Sequence, residues 1–392
     1  MFEGKRILIG LGGGIAVYRI AELVRLLRRE GAEVRCIMTG SATEFVSPLT
    51  FEALTGEPVH TSLFDLTAER EMGHIRLARW ADVLLIAPAT TDLIARFAYG
   101  IADDLLTTLF QARKGPILIA PSMNTVMWES QACSHNIHTL QHRGVAIIGP
   151  EAGKLACGEE GPGRLSRLES IQEALYHSLC PDSLAGQRWL INAGPTIEHW
   201  DAVRFLTNAA SGTFGSCLAL AAAARGAAVD LVIGPNGPRT PLGVDRHAAI
   251  SASDVLSACT RLAAGASVFF ATAAIMDFRF SAPQSGKLKR GQTEKCTVEL
   301  TANPDIVASV AQMKNRPGQV IACAAECAEH VENAKIKLHR KHVDAIFAND
   351  IVSIGSNTTS GGWWLSRGNI LMIDAMPKWK LAERLIDLVT DL

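Results

Sequence analysis

Twice in this chain a short apolar run ends at a glycine-bearing turn, and a helical segment follows. Arg6 to Leu11 runs into Gly12-Gly13-Gly14, and Arg188 to Ala193 runs into Gly194-Pro195-Thr196. After the first turn the apolar residues Ala16, Ile20, Leu23 and Leu27 recur at helical intervals. After the second, an insertion leads to Ser211-Gly212-Thr213-Phe214-Gly215 and an alanine-rich helix. A strand, a tight turn and a helix open a doubly wound parallel sheet, in which the helix amino terminus offers free amides to an anion. The pattern therefore predicts an α/β protein of two doubly wound, mostly parallel-sheet domains, at 1–180 and 188–392, and 392 residues suffice to bury two cores. Leu175 to Gln187, rich in turn formers, reads as the linker between them.

Ligands of open parallel sheets bind beyond the carboxyl ends of the strands, so those ends carry the functional signal. The second predicted strand, Glu33 to Met38, ends at Thr39-Gly40-Ser41 without the acidic residue or GxGxxG register of a dinucleotide site. Hydroxyls there suit a mononucleotide phosphate. Val83 to Ala87 ends in Pro88-Ala89-Thr90-Thr91, and Pro116 to Ala120 ends in Pro121-Ser122-Met123-Asn124. Four strand ends are thus expected to face one pocket, with His74 ahead of the third strand. Taken singly, His74 and Asn124 read as a surface histidine and a turn residue.

Gly153 to Arg164 holds four glycines around Cys157 and reads as neither helix nor strand. The expectation is a mobile loop carrying a thiol. It is either a plain surface loop or a flap that brings Cys157 over a ligand, with Lys154 and Arg164 near anionic groups. His135, His138 and His142 have no acidic or thiolate companion and read as a solvated helix face.

A formal net charge of −1 gives no sign of a nucleic-acid or anionic-membrane partner. The nine cysteines form no CxxC pairs, which points to a reducing compartment, the cytoplasm by default. No segment reads as a signal peptide or a membrane span.

The segments GGGIAVYR, MGHIRLARWADVLLIAPAT, GIADDLLTT, PSMNTVMW and KLACGEEGPGR closely resemble the flavin-containing cysteine decarboxylase family, specifically the phosphopantothenoylcysteine decarboxylase half of bacterial bifunctional coenzyme A biosynthesis proteins. The resemblance implies FMN in the first-half pocket, at Gly13, Gly14, Ile15, Ala16, Thr39, Ser41, Pro88, Ala89 and Thr90. It also implies His74, Asn124 and Cys157 as catalytic residues: His74 in thiol oxidation, Asn124 on the substrate carboxylate and Cys157 as proton donor. The chemistry needs such a set, because a carboxylate beside an amide nitrogen and a CH2SH group has no electron sink until the thiol is oxidised. Gly12 departs from relatives, which often carry a hydroxyl residue there.

The second half resembles the phosphopantothenate–cysteine ligase domain of the same proteins through AGPTIEHWDAVRFLTN, ATAAIMDFR, KLKR, NPDI, CAAE, KIKLHRK and AND. That resemblance implies CTP as co-substrate with magnesium or another divalent cation, and an acyl-cytidylate that cysteine attacks. The metal ligands stay unknown. Asn208 and Lys287 would be catalytic. Nucleotide contacts would come from Ala271, Thr272, Ala273, Asp277, Lys287, Asn303, Pro304, Asp305, Ile306, Cys323, Lys337 and Lys341. Lys287, Lys289 and Arg290 otherwise read as a solvated basic loop. Departures are Thr213 for a lysine, Gly286 for a glutamate, Cys323 for a phenylalanine, Cys327 for a threonine, and Gly355 to Thr359 for a late Gly-Phe pattern. They leave room for an active flavin decarboxylase whose ligase half is altered in nucleotide use or serves as a noncatalytic assembly module. The resemblance further implies small-molecule substrates and a homo-oligomer.

Overall fold

The computed structural model describes residues 1–63, 73–289, 296–326, 330–350, 355–366, 368 and 370–392. The chain divides into two units, Met1–Cys180 and Pro181–Leu392. In the first, strands β1 (Arg6–Leu11), β2 (Glu33–Met38), β3 (Val83–Ala89), β4 (Ile117–Pro121) and β5 (Ala146–Ile147) form a parallel sheet in the order β2-β1-β3-β4-β5. All seven residues of β3 are buried. Leu84 and Ile86 enter the core beneath the helices Thr91–Tyr99, Leu105–Ala112 and Gln131–His142, while Val17–Arg29 and Leu168–Leu179 also pack on the strand. A strand covered on both faces reads as an unbroken apolar run rather than an alternating one.

The stretch read as a loop is instead an antiparallel hairpin, β6 (Glu151–Lys154) with β7 (Glu160–Arg164). The expected linker is also shorter than its turn formers suggested. Leu175 and Tyr176 are buried in the last turns of the helix Leu168–Leu179, and Leu184 is buried in the second unit's core. His135, His138 and His142 lie exposed on the helix Gln131–His142.

The second unit contains β8 (Arg188–Ala193), a ribbon of β9 (Glu198–His199) and β10 (Phe205–Leu206), β11 (Ala228–Ile233), β12 (Val244–Ala248) and β13 (Val268–Ala271). It continues through a ribbon of β14 (Phe278–Phe280) and β15 (Leu300–Ala302) to β16 (Gln319–Glu326), β17 (Ala345–Asp350), β18 (Thr358–Leu365) and β19 (Ile370–Pro377). The main sheet runs β12-β11-β8-β13-β16-β17-β18-β19, parallel through β17 and antiparallel at the last two strands. The helix Thr213–Ala224 is rich in alanine because it packs both on β8 and on the carboxy-terminal helix Lys378–Thr390, where larger side chains would hold the layers apart. Arg225 fixes the pair through Asp387. In both sheets the strand order reverses beside the first strand, between β1 and β3 and between β8 and β13, and a crevice opens at such a point. Among the described residues no helix is long and apolar enough to cross a membrane.

Candidate active sites

In the first unit, backbone hydrogen bonds join the four strand ends in a row. Thr39 N–H donates to the Leu11 carbonyl (3.1 Å), Gly12 N–H to the Pro88 carbonyl (3.1 Å), and Ser122 N–H to the Ala89 carbonyl (2.9 Å). The glycines make this closeness possible. A Cβ on Gly12 would lie 2.4 Å from the Pro88 oxygen, and one on Gly13 would lie 2.3 Å from Ser41 Cβ. Gly12 is therefore where the turn touches its neighbour strand, whatever a relative's hydroxyl does there. Beyond these contacts the amides of Gly13, Ile15 and Ala16 have no hydrogen-bond partner among the described residues, and the helix Val17–Arg29 has no side-chain cap. The Thr39 hydroxyl is engaged within the fold, donating to the Leu11 carbonyl and accepting from Ala42 N–H. Thr90 caps the helix Thr91–Tyr99 through Leu93 N–H, and Ser41 is exposed beside the turn.

Asn124 and Cys157 are brought together. Asn124 caps the helix Thr125–Glu129, with its side-chain oxygen accepting from Val126 N–H at 2.8 Å. Its Nδ2 donates to the Glu159 carboxylate and lies 3.7 Å from Cys157 Sγ. The hairpin glycines explain how. Met123 N–H donates to the Gly163 carbonyl at 2.9 Å, a Cβ on Gly163 would lie 2.3 Å from the Met123 oxygen, and one on Gly161 would lie 2.6 Å from Thr125 Oγ1. Strand β7 thus lies flat on the turn that carries Asn124, and the tip with Cys157 overhangs it. Cys157, Lys154 and Arg164 are all exposed. His74 belongs to the helix Gly73–Trp80, which precedes β3 and therefore starts on the side of the strands' carboxyl ends; its side chain lies outside the described residues.

In the second unit a cavity of about 570 Å³ opens at the β8/β13 reversal. Ala271, Thr272, Ala273, Asp277, Asn303, Pro304, Asp305, Ile306, Cys323, Lys337 and Lys341 all line it, together with Ser211 to Gly215 at the start of the alanine-rich helix. Asn192, buried at the end of β8, holds one wall: its side-chain oxygen accepts from Thr272 N–H (2.9 Å) and Ala273 N–H (3.0 Å). Asn303 Nδ2 donates to the Met276 carbonyl at 2.8 Å, and Asn303 N–H donates to the Asp277 carbonyl at 2.8 Å. Asp305 caps the helix Ile306–Ala311 and pairs with Lys341 at 3.1 Å. Burial pushes the Cys323 thiol far up, so it lines the cavity as a neutral group. The Thr213 hydroxyl bonds to that of Ser211 at 2.9 Å.

Lys287 and Asn208 are not on the cavity wall. Asn208 Nδ2 donates to the Ala274 carbonyl at 2.6 Å, which fixes it beside the turn that does line the cavity. Lys287 is exposed, but the next residue is anchored: Leu288 N–H donates to Asp201 at 3.0 Å, and the Arg204 guanidinium donates to the Leu288 carbonyl at 2.7 Å. The Asp201 carboxyl is inaccessible to solvent and is held well below the ordinary carboxylate range, first by the Arg204 hydrogen bond and then by the amides of Val203, Leu288 and Arg204. Arg290 and Cys327 lie outside the described residues.

Two family models divide the chain between them. Residues 1–179 match the Flavoprotein family, and residues 184–392 match the DNA/pantothenate metabolism flavoprotein C-terminal domain. The coenzyme A biosynthesis bifunctional protein CoaBC of Vibrio cholerae is 46% identical over 359 residues, covering 91% of this chain and 90% of that protein. This chain belongs to the CoaBC family. The CoaBC protein of Escherichia coli is 42% identical over 351 residues, 89% of this chain and 86% of that protein. Among solved structures, the FMN-dependent cysteine decarboxylase SpaF is 32% identical over 45% of this chain and 95% of its own, at a TM-score of 0.39.

Within this CoaBC member, the sequence reading missed Glu159, Asn192 and Asp201. Glu159 is one of two adjacent acids in a glycine-rich stretch, and nothing local distinguishes it from Glu160. Asn192 sits inside an apolar strand, where an isolated amide is a usable signal, since a buried polar group requires partners.

Proposed function

We propose that the chain makes the coenzyme A precursor 4′-phosphopantetheine in two steps. The second unit ligates cysteine to 4′-phosphopantothenate with CTP through an acyl-cytidylate, and the first decarboxylates the resulting phosphopantothenoylcysteine. The observation that carries the decarboxylase reading is Asn124, whose amide already donates to one carboxylate, that of Glu159, beside the Cys157 thiol. A substrate carboxylate on the same amide would lie next to a proton donor. The unpartnered amides of Gly13, Ile15 and Ala16 at an uncapped helix start, with Ser41 exposed beside them and Thr90 at the neighbouring strand end, fit the phosphate of FMN. When bound, FMN would supply the two-electron oxidation of the substrate thiol that creates the electron sink and, after carbon dioxide has left and the carbon has been protonated, would return the same two electrons to give the thiol product. For its part, Asn124 orients the carboxylate so that the bond to be broken faces that sink, and the hairpin covers the crevice. Cys157 Sγ–H gives its proton to the carbon left after carbon dioxide departs, and being exposed it regains a proton from water. His74 is assigned to the thiol-oxidation step through the family resemblance.

For the ligase, Asp277 and Asn303 to Ile306 form the nucleotide wall, with Lys337 and Lys341 beside the phosphates. Lys341 is held in place by Asp305, and the loop of Lys287 is held at Leu288, so that its ammonium can close over the α-phosphate as charge develops there. Asn208, fixed on Ala274, would hold the activated carbonyl for the amine. The described residues contain no group of three metal-ligating side chains, and a divalent ion brought in by the nucleotide phosphates satisfies the reading. The same reading includes a cytoplasmic homo-oligomer, which light scattering of the purified chain tests for assembly. The deciding experiment incubates the chain with 4′-phosphopantothenate, cysteine and CTP and follows pyrophosphate, carbon dioxide and product mass, alongside the absorption spectrum. A yellow protein that yields 4′-phosphopantetheine is expected. A yellow protein that decarboxylates supplied phosphopantothenoylcysteine but never releases pyrophosphate would make the second unit an assembly module.

A further inference from the structure

We propose that Lys378 is a phosphate-binding cation of the second-unit cavity, donating to a phosphoryl oxygen of either CTP or 4′-phosphopantothenate. The inference rests on the ligase reading of that cavity. Lys378 is the first residue of the carboxy-terminal helix, and its place is fixed from behind. Leu381, Ala382, Leu385, Ile386 and Val389 are buried in the core shared with the helix Thr213–Ala224, and Lys378 N–H donates to the Asn357 carbonyl at 3.0 Å. From there the half-buried side chain reaches the cavity wall.

A partly desolvated ammonium ordinarily has a carboxylate beside it. Among the described residues none lies within ion-pair distance of Lys378, whereas Lys341 on the same cavity is paired with Asp305. The titratable neighbour on the alanine-rich helix is Cys217, one turn in, but burial pushes its thiol up to about 11 and leaves it neutral near pH 7, so it is no anion for Lys378. Burial in turn lowers the Lys378 ammonium below the lysine range, as expected of a cation that lacks its anion. Ser211 to Gly215, at the start of the alanine-rich helix, lines this cavity without a cationic side chain. An anion of high charge density entering the cavity meets Lys378 as a waiting partner, and the phosphoryl groups of the two substrates are such anions.

The test uses the full chain. Wild-type release of pyrophosphate from CTP with 4′-phosphopantothenate first establishes the ligase reading independently. Lys378→Met is then expected to raise KM at least tenfold for one of the two substrates, with kcat and the thermal midpoint little changed and Lys378→Arg restoring most of the loss. A raised KM for CTP assigns the nucleotide phosphates. A raised KM for 4′-phosphopantothenate, with pantothenate itself unaffected, assigns the acyl substrate. An active wild type in which both KM values stay within twofold in Lys378→Met would overturn the proposal and leave the ligase reading intact. Should Lys378→Met fail to fold, the unmodified protein carries the test: an amine-acylating reagent at neutral pH, mapped by mass, is expected to label Lys378 less in the presence of CTP or 4′-phosphopantothenate. Equal labelling with and without both compounds overturns the proposal.

Discussion

Gly163→Ala is the most direct test of how the hairpin reaches Asn124. Gly163 has φ +139°, and an added Cβ would stand 2.3 Å from the Met123 carbonyl oxygen, the partner of no flexible side chain but of the main chain itself. Relieving that collision costs about 1–3 kcal/mol, and the lost Met123 N–H to Gly163 carbonyl bond about 1 kcal/mol more. The hairpin can relieve both by lifting away from the turn, so the net penalty falls on docking and comes to roughly 2–4 kcal/mol. The docking equilibrium constant should drop roughly 30- to 900-fold, and kcat/KM for decarboxylation of phosphopantothenoylcysteine falls with it once the docked hairpin is the minor state. Carbon dioxide release measures this, and pyrophosphate release by the second unit serves as the internal control and should not change. Gly158→Ala provides the comparison: φ is +90° but a Cβ there meets nothing within 4 Å, so only backbone strain of about 1–2 kcal/mol applies, at the free tip. A Gly163→Ala protein that decarboxylates within threefold of the parent would show that docking on the Asn124 turn is irrelevant to catalysis.

Cys157→Ser should keep the flavin absorption and release carbon dioxide in a single turnover without completing the product, because an alcohol is a far weaker acid than a thiol; multiple complete turnovers would remove Cys157 from its assigned role. Asn192→Ala leaves the Ala273 N–H without an acceptor, since Thr272 N–H keeps the Asn192 carbonyl at 3.1 Å; the loss is about 1–2 kcal/mol and should lower the second unit's thermal midpoint by roughly 2–8 °C. A calorimetric shift under about 2 °C would contradict it. Asp201→Asn should loosen the Leu288 anchor and reduce ligase kcat/KM by about a hundredfold while decarboxylation stays unchanged. Since the folded Asp201 carboxyl is depressed, its contribution to stability is fully present above the unfolded value near ~3.9 and is lost as the pH falls below it. The wild-type midpoint should therefore fall more steeply than that of Asp201→Asn on the acid side of about pH 4, and parallel curves there would refute the anchor.

The site in the second unit was more legible in sequence than the one in the first. Asp277, Asn303 to Ile306, Cys323, Lys337 and Lys341 come from separate stretches, yet all line one cavity, because parallel strands deliver their carboxyl ends to the same edge. Lys287 and Asn208 follow a different logic. They hang on hydrogen bonds from Asp201 and Ala274, and no spacing rule reports such anchors.

The sequence by itself determined the two α/β units and their buried strands, since a strand covered on both faces must be apolar throughout and a glycine must stand where two strand ends touch. It misjudged the hairpin for a related reason. The glycines of 153–164 look like loop formers when only their freedom is considered, whereas Gly161 and Gly163 are there because another backbone lies against them. That neighbour, the Met123 to Thr125 turn, is some forty residues away in the chain and adjacent only once the sheet has closed. The tertiary structure alone decided that Asn124 meets Cys157 and Glu159, that Asn192 braces Thr272, and that Lys378 reaches a cavity begun at Gly194. Local propensity follows neighbours along the chain, and these contacts depend on the packing of elements far apart in it.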